Sequence, residues 1–349
     1  MYIRQDILDA VAAKKMPEDR TFGKAVLPAI CVAQYKNGQW SEVELGFDRD
    51  HRLSGGSTAV QYAQSIFEGM KAYFVHQVTP QIFRPYDHAV RFRRSAERMC
   101  MPPVPREMFV YGVNLLSRLY ADVIPREADG ALYLRPSLYG TDYSLSIEPS
   151  ESYQFTIHAA PTIPFSKDMK SVLIERRNSR SAVGGTGGVK AAGNYAAGFQ
   201  SLTRARQLGC ATSLWLDPLE SKYIEELSLM NFFVVREGEL HTPTLQNSFL
   251  PGITRQSLLT LAEDLGLRIA ERRIDINELI KEIETGSVTE AFSCGTAAVV
   301  SPIRSLKEAS GTEYVFSDEP GPITRTLRKQ LLDIQEGRTA DRFGWMQSV

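Results

Sequence analysis

The sequence lacks a surplus of charge of either sign: 40 Lys and Arg stand against 41 Asp and Glu, a formal charge of −1 over 349 residues. Nucleic acid and anionic membranes call for a basic excess, so neither is expected as a partner. No apolar run approaches the length of a membrane span. Cysteines are few, and Cys31, Cys100, Cys210 and Cys294 show neither a CxxC pair nor metal-ligand spacing, while the five histidines are as scattered. This excludes a disulfide scaffold, predicts reduced thiols in a cytoplasmic chain and leaves no visible metal site. Internal repeats and low-complexity segments are missing too. What is left is small-molecule chemistry in an ordinary globular chain, whose length and 43% hydrophobic content suit two domains.

The stretch richest in chemistry lies near the middle, from Gly184-Gly185-Thr186-Gly187-Gly188-Val189-Lys190 through Ala191-Ala192-Gly193-Asn194-Tyr195. Its one lysine sits among small and apolar residues, where burial would favour the neutral amine, a nucleophile toward an aldehyde. The flanking glycines let backbone pass close to a bulky planar ligand. A phosphate-cradling P-loop is ruled out, because Val189 separates Gly188 from Lys190 and Ala191 follows where Ser or Thr is required.

Periodicity and turn chemistry order the rest. Residues 1–20 predict a short amphipathic helix, and Asn37-Gly38 marks a hairpin between apolar runs 29–35 and 40–45. Strands are expected over 70–75, 131–140, 153–160, 211–217 and 231–236. Helices are expected from a cap at Asp87, with Val90 and Arg91 on one face, and over 106–123, 194–208, 254–265 ended by Gly266, and the stretch around Leu327. Alternation along 131–140 puts Tyr133 and Arg135 on one face, where a phenol and a guanidinium can converge on a carboxylate. The polar, proline-interrupted stretch 161–181 reads as a linker between domains 1–160 and 182–349. Leu250-Pro251-Gly252-Ile253-Thr254 opens a helix whose first amides and dipole favour an anion.

The run Gly-Gly-Val-Lys-Ala-Ala-Gly-Asn-Tyr resembles the pyridoxal phosphate lysine of the branched-chain amino-acid aminotransferases, a class IV family of fold type IV. Five further motifs agree in family order: Phe67-Glu68-Gly69-Met70-Lys71-Ala72-Tyr73, Arg91 seven residues after Arg84, Tyr133-Leu134-Arg135-Pro136, the Glu225-Glu226 to Met230-Asn231 segment, and Leu250 to Arg255 with Ser293 to Ala298. The resemblance implies a two-domain α/β (α+β) fold like that of the D-amino-acid and branched-chain aminotransferases, and a pyridoxal 5′-phosphate cofactor on Lys190. It also implies a homodimer that exchanges amino groups between an apolar L-amino acid (Leu, Ile, Val) and 2-oxoglutarate. By the same resemblance Glu226 faces the pyridine nitrogen, with Glu225 its outward neighbour, and Tyr195 meets the ring oxygen. Arg91, Leu250, Ile253, Thr254 and Thr296 hold the phosphate. The Thr296 and Ala297 amides meet the substrate carboxylate, and Arg135 the second carboxylate of glutamate. Phe22, Phe67 and Tyr133, with Tyr62, Leu145 and Ile147 from the partner subunit, shape the side-chain pocket.

Two departures bear on substrate choice. Ser228-Leu229 replaces the family's Gly-Thr pair, and Val26-Leu27-Pro28 stands where long-chain relatives carry another pattern. Alternatives at this point are a specialised-metabolism aminotransferase with another donor, a D-amino-acid aminotransferase, an aminodeoxychorismate-type lyase, or a non-catalytic phosphate-ligand binding module.

Overall fold

The computed structural model describes residues 3–13, 17–163 and 168–349. Two compact units emerge: Met1–Phe165 with Lys190–Ala192 and Asp333–Val349, and Ser166–Val189 with Gly193–Leu332. Each is an α/β unit with its own nine-stranded sheet.

The first unit starts with α1 (Gln5–Ala12), shorter than the expected helix; Lys14 and Lys15 of that expectation lie outside the described residues. The hairpin forms at Asn37-Gly38, with β1 (Ala29–Lys36) pairing to β2 (Gln39–Trp40) through Tyr35 and Trp40. Asn37 at φ 53° and Gly38 at φ 79° supply the two left-handed residues that a two-residue turn between twisted strands needs. The returning strand breaks after Trp40 and resumes as β3 (Glu44–Phe47), still antiparallel to β1. Then come α2 (Thr58–Tyr62), β4 (Ser65–Phe67), β5 (Met70–Tyr73) and β6 (Gln81–Phe83).

Helix α3 (Pro85–Arg98) corrects two expectations. Asp87 is not its cap: Arg84, at φ 49°, precedes Pro85 at the first helical position, where proline's missing N–H has no partner to lose. Asp87 instead accepts from Arg84 Nε at 2.8 Å. Val90 is 46% exposed and does not share the face of Arg91, which is buried with His88, Phe92, Ser95 and Ala96. After α4 (Arg106–Leu119) the long strands β7 (Ala131–Gly140) and β8 (Tyr153–Thr162) pair along their whole length. Phe92, Phe109 and Phe155, with ring centroids 5.3 to 6.1 Å apart, pack α3 and α4 onto β8.

The stretch read as a linker contains the end of β8 and all of β9 (Lys170–Glu175), a strand in the middle of the second sheet. Its four buried residues, Val172 to Glu175, include an apolar run of only three, Val172 to Ile174, too short to stand out between polar flanks. The second unit continues with α5 (Gly193–Ala196) and α6 (Phe199–Gln207), one expected helix broken in two around Gly198. Then follow β10 (Thr212–Leu216), β11 (Ile224–Leu227), β12 (Asn231–Arg236), β13 (Glu239–Pro243) and α7 (Ile253–Asp264). Gly266, at φ 71°, ends α7 as expected. The chain goes on through β14 (Ile269–Arg272), α8 (Ile276–Thr285), β15 (Val288–Gly295), β16 (Val299–Lys307), β17 (Glu313–Val315) and α9 (Pro322–Gln335). Its last strand, β18 (Met346–Ser348), returns to the first unit and pairs with β6.

The first sheet is antiparallel throughout, in the order β18-β6-β5-β7-β8-β1-β2, with β4 on β7. The second is mixed, in the order β11-β10-β9-β16-β15-β12-β13-β14. Its core includes Phe233 and Phe292, opposite each other on β12 and β15 and stacked at 5.0 Å.

Candidate active site

In the first unit the backbone of Lys190 is held at both ends. Its N–H donates to Ser95 Oγ of α3 at 3.0 Å, and its carbonyl accepts from the Phe67 N–H of β4 at 3.2 Å. Ala191 bridges to Ile66, and the Ala192 N–H reaches Ser65 O, so the small residues after the lysine lie against the edge of β4. Lys190 is half-buried, and its Nζ stands 4.8 Å from the Phe67 ring centroid. Phe67 also carries the Arg135 guanidinium at 4.6 Å, a second cation over the same ring. Arg135 donates to Tyr133 Oη from Nε at 3.0 Å and from Nη2 at 2.7 Å, as the strand alternation requires. Phe22 packs edge-on against Tyr133 at 4.5 Å. Gly69 makes this cluster possible, since a Cβ there would lie 2.2 Å from Tyr133 Oη. Lys190, Phe67, Tyr133, Arg135 and Phe22 are therefore brought together. Tyr62, Leu145 and Ile147 form a separate group: Tyr62 Oη donates to Leu145 O at 2.7 Å, and the three are 43%, 71% and 88% exposed.

Arg91 lies with its guanidinium on Glu68, 2.6 Å from Nε to Oε1 and 2.9 Å from Nη2 to Oε2, and both residues are buried. Burial alone would raise the Glu68 carboxyl; the adjacent Arg91 and the hydrogen bonds it receives outweigh burial and hold it well below the usual carboxylate range.

In the second unit Asn194 fastens the glycine-rich loop, donating to Thr186 O at 2.7 Å and Val189 O at 3.0 Å and accepting from Thr186 Oγ1 at 2.6 Å. Tyr195 follows it, half-buried, on α5. Glu226 on β11 is buried and ion-paired to Arg180, whose side chain is buried as well. Glu225 departs from expectation. It is not an outward neighbour: it is 6% exposed, pointing from the other face of β11 to accept from Ser248 Oγ, and burial raises its carboxyl. Both faces of β11 are covered, so the alternation that sends one glutamate outward on a surface strand sends it here to a second buried partner.

Asn231 links β12 to the start of α7, with its Nδ2 donating to Leu250 O at 2.9 Å. A Cβ on Gly252 would fall 2.0 Å from Asn231 Oδ1, so glycine is needed for that approach. Gly252 is also the N-cap of α7, and among the described residues no side chain caps the helix; Ile253 and Thr254 of its first turn are buried. Thr296 and Ala297, both half-buried, make the turn between β15 and β16, and Leu229 O and Met230 Cγ lie 3.6 and 3.3 Å from where a Gly295 Cβ would sit. Ser228 has a structural task, accepting from the buried Trp215 Nε1 at 3.1 Å, while Leu229 is 62% exposed.

Three participants escape sequence reading. Arg180 fell in a stretch read as linker, and Ser95 and Glu68 carry no signal beyond their place on α3 and in the motif after Phe67. The spacing of His88, Arg91 and Ser95, three and four residues apart, was the one available cue that they share a face.

The pattern of the family described as amino-transferase class IV matches residues 65–306. The branched-chain-amino-acid aminotransferase of Mycolicibacterium smegmatis is 39% identical over 303 residues, covering 84% of this chain and 82% of the relative. Branched-chain-amino-acid transaminase 1 of Bacillus subtilis is 35% identical over 96% of each chain. Among solved structures, the branched-chain aminotransferase of Thermoproteus uzoniensis, determined with norvaline, superposes with a TM-score of 0.76 at 26% identity, covering 91% of this chain and 99% of that one. The T.th. branched-chain amino acid aminotransferase, solved with pyridoxamine 5′-phosphate, gives 0.75 at 25% identity over 90% and 98%. With the pinned lysine, Phe67, Tyr133 and Arg135 beside it, and the start of α7 all in the matched region, this chain belongs to the class IV aminotransferases, within their branched-chain-amino-acid aminotransferase group.

Proposed function

We propose that the chain is a pyridoxal 5′-phosphate-dependent transaminase that exchanges an amino group between a branched-chain or similar apolar L-amino acid and 2-oxoglutarate. The observation that carries this reading is Lys190, fixed through its own backbone beside Phe67 and Arg135. The donor set suits the cofactor: an amine for its aldehyde, a buried carboxylate paired with Arg180 for its ring nitrogen, and a twelve-residue helix with no side-chain cap among the described residues for its phosphate. When bound, the cofactor supplies a pyridine ring that accepts the electron pair left at the substrate Cα. With the cofactor bound, Lys190 Nζ would take the Cα proton and deliver it to the cofactor's C4′, the former aldehyde carbon. Glu226 keeps the ring nitrogen protonated, and Tyr195 donates to the ring oxygen. Arg91, Leu250, Ile253, Thr254 and Thr296 hold the phosphate, and the Thr296 and Ala297 amides receive the α-carboxylate. Arg135, braced by Tyr133, takes the second carboxylate of glutamate, and Phe22 and Phe67 keep water from the side-chain pocket.

The donor range tests the reading. Incubation with 2-oxoglutarate and each L-amino acid in turn is expected to give glutamate fastest from leucine, isoleucine or valine; no glutamate from any of the three would sink it. Leu229, exposed beside the Gly295 turn, sets the ranking among them. Leu229→Thr removes apolar bulk and adds a hydroxyl, and the ratio of kcat/KM among these three donors should move by roughly 3-fold or more. An unchanged ranking would show that Leu229 lies outside the pocket.

The chain also works as a homodimer in this reading, in the cytoplasm, where four unpaired thiols persist. Tyr143, Leu145 and Ile147 are 85%, 71% and 88% exposed within one short loop, an apolar surface that a second copy would cover. Ile147→Asp is expected to shift the protein toward monomer in sedimentation at micromolar concentration, with loss of activity in step. A dimer as tight as the wild type would place the interface elsewhere.

A further inference from the structure

Glu68 is fully buried, yet it is a charged residue with no direct part in the reaction proposed above. Among the described residues the carboxylate's partners come from two places, α3 and the next residue in the chain. Arg91 takes both oxygens, at 2.6 and 2.9 Å; His88 Nδ1 meets Oε2 at 2.6 Å; and the Gly69 N–H donates to the same oxygen at 3.1 Å. Burial lowers His88, with Arg91 and Lys190 adding to that against the pull of Glu68, and beside a carboxylate that can only accept, the imidazole donates from Nδ1. Replacing a buried ion pair by apolar residues is often neutral or stabilising, so stability alone is a weak reason for one here. Geometry supplies a better one. The two-point grip fixes the plane of the Arg91 guanidinium, and a planar fork recognises phosphate oxygens only when its plane is set. One turn further along α3, Ser95 Oγ donates to Arg91 O at 3.0 Å and accepts the Lys190 N–H. The helix that carries Arg91 thus also holds the lysine, and Glu68 ties that helix to the β4–β5 turn.

We propose that Glu68, with His88 behind it, is the positioning residue that orients Arg91 for the cofactor's phosphate. This rests on the reading of Arg91 as a phosphate holder. The consequence is selective: disturbing Glu68 should weaken binding of a phosphorylated ligand and spare its dephosphorylated analogue.

The test uses the full-length protein stripped of cofactor and titrated with pyridoxal 5′-phosphate or with pyridoxal. Glu68→Gln keeps the shape but puts an amide donor against donors already present. It is expected to weaken pyridoxal 5′-phosphate binding by about tenfold or more while pyridoxal changes less than about twofold. Should Glu68→Gln fail to fold by circular dichroism, His88→Ala is expected to show the same selective loss, smaller in size, and His88→Asn, which can present a donor near the Nδ1 position, to recover part of it. Equal losses for the two ligands, or none, would overturn the proposal. Arg91→Met separates the two levels: if it leaves the preference for the phosphorylated ligand intact, the reading of Arg91 itself fails, whereas loss with Arg91→Met but not with Glu68→Gln or His88→Ala removes only the role of Glu68.

Discussion

Lys190→Ala is expected to lower transamination by on the order of 10⁴-fold, because it removes both the cofactor's attachment point and the base that moves the Cα proton. The side chain leaves little behind structurally. What fixes Lys190 in place are its N–H on Ser95 and its carbonyl on the Phe67 N–H, and alanine keeps both. Melting temperature should therefore stay within a few degrees of the wild type, and the cofactor should still bind through its phosphate. Borohydride treatment of the wild-type holoenzyme, followed by peptide mass spectrometry, is expected to find the cofactor on Lys190 and to find none in the variant. Labelling of another lysine, or activity within tenfold of wild type, would refute the assignment.

How much of this was legible in the sequence depended on whether a signal was local. The Asn37-Gly38 turn, the strand over 131–140 and the end of α7 at Gly266 are set by residues next to one another, and they form where turn chemistry and alternation put them. Tyr133 and Arg135 meet for the same reason, being two apart on one strand. Non-local pairing was invisible. β9 has a buried run of only four residues, and what makes it a central strand is pairing with β10 and β16, from distant parts of the chain. The Glu68 to Arg91 pair spans 23 residues and the Arg180 to Glu226 pair 46, and no periodicity marks either. Glu225 shows the limit of the resemblance: it reads as an outward neighbour, but whether the second face of β11 is covered depends on distant segments such as that of Ser248.

Glu226 and Glu225 should separate sharply when each is changed to glutamine. Glu226→Gln keeps the volume but cannot hold a proton on the pyridine nitrogen as a carboxylate does, so kcat is expected to fall roughly 10²-fold or more, while the cofactor affinity changes much less. It also leaves Arg180, whose side chain is only 5% exposed, with a neutral partner. Removing one member of a buried pair costs about 3–5 kcal/mol, and the amide oxygen, which still accepts from Arg180, should keep the loss at or below the lower end. Glu225 carries a proton linkage of its own. Its carboxyl is raised by burial against a hydrogen bond from Ser248, so between the ordinary carboxylate range and its raised value the folded state holds a proton that the unfolded chain has lost. Stability from this group is present at low pH and declines as pH climbs through that window. Glu225→Gln removes the decline, and its melting temperature relative to wild type should rise from pH 4 to pH 7, with kcat at saturating cofactor within about 3-fold of normal. Thermal melts across pH and steady-state kinetics on the two variants decide it. A large kcat loss with Glu225→Gln and a small one with Glu226→Gln would mean that the carboxylate facing the ring is the one on Ser248, and that Arg180 guards the structural partner.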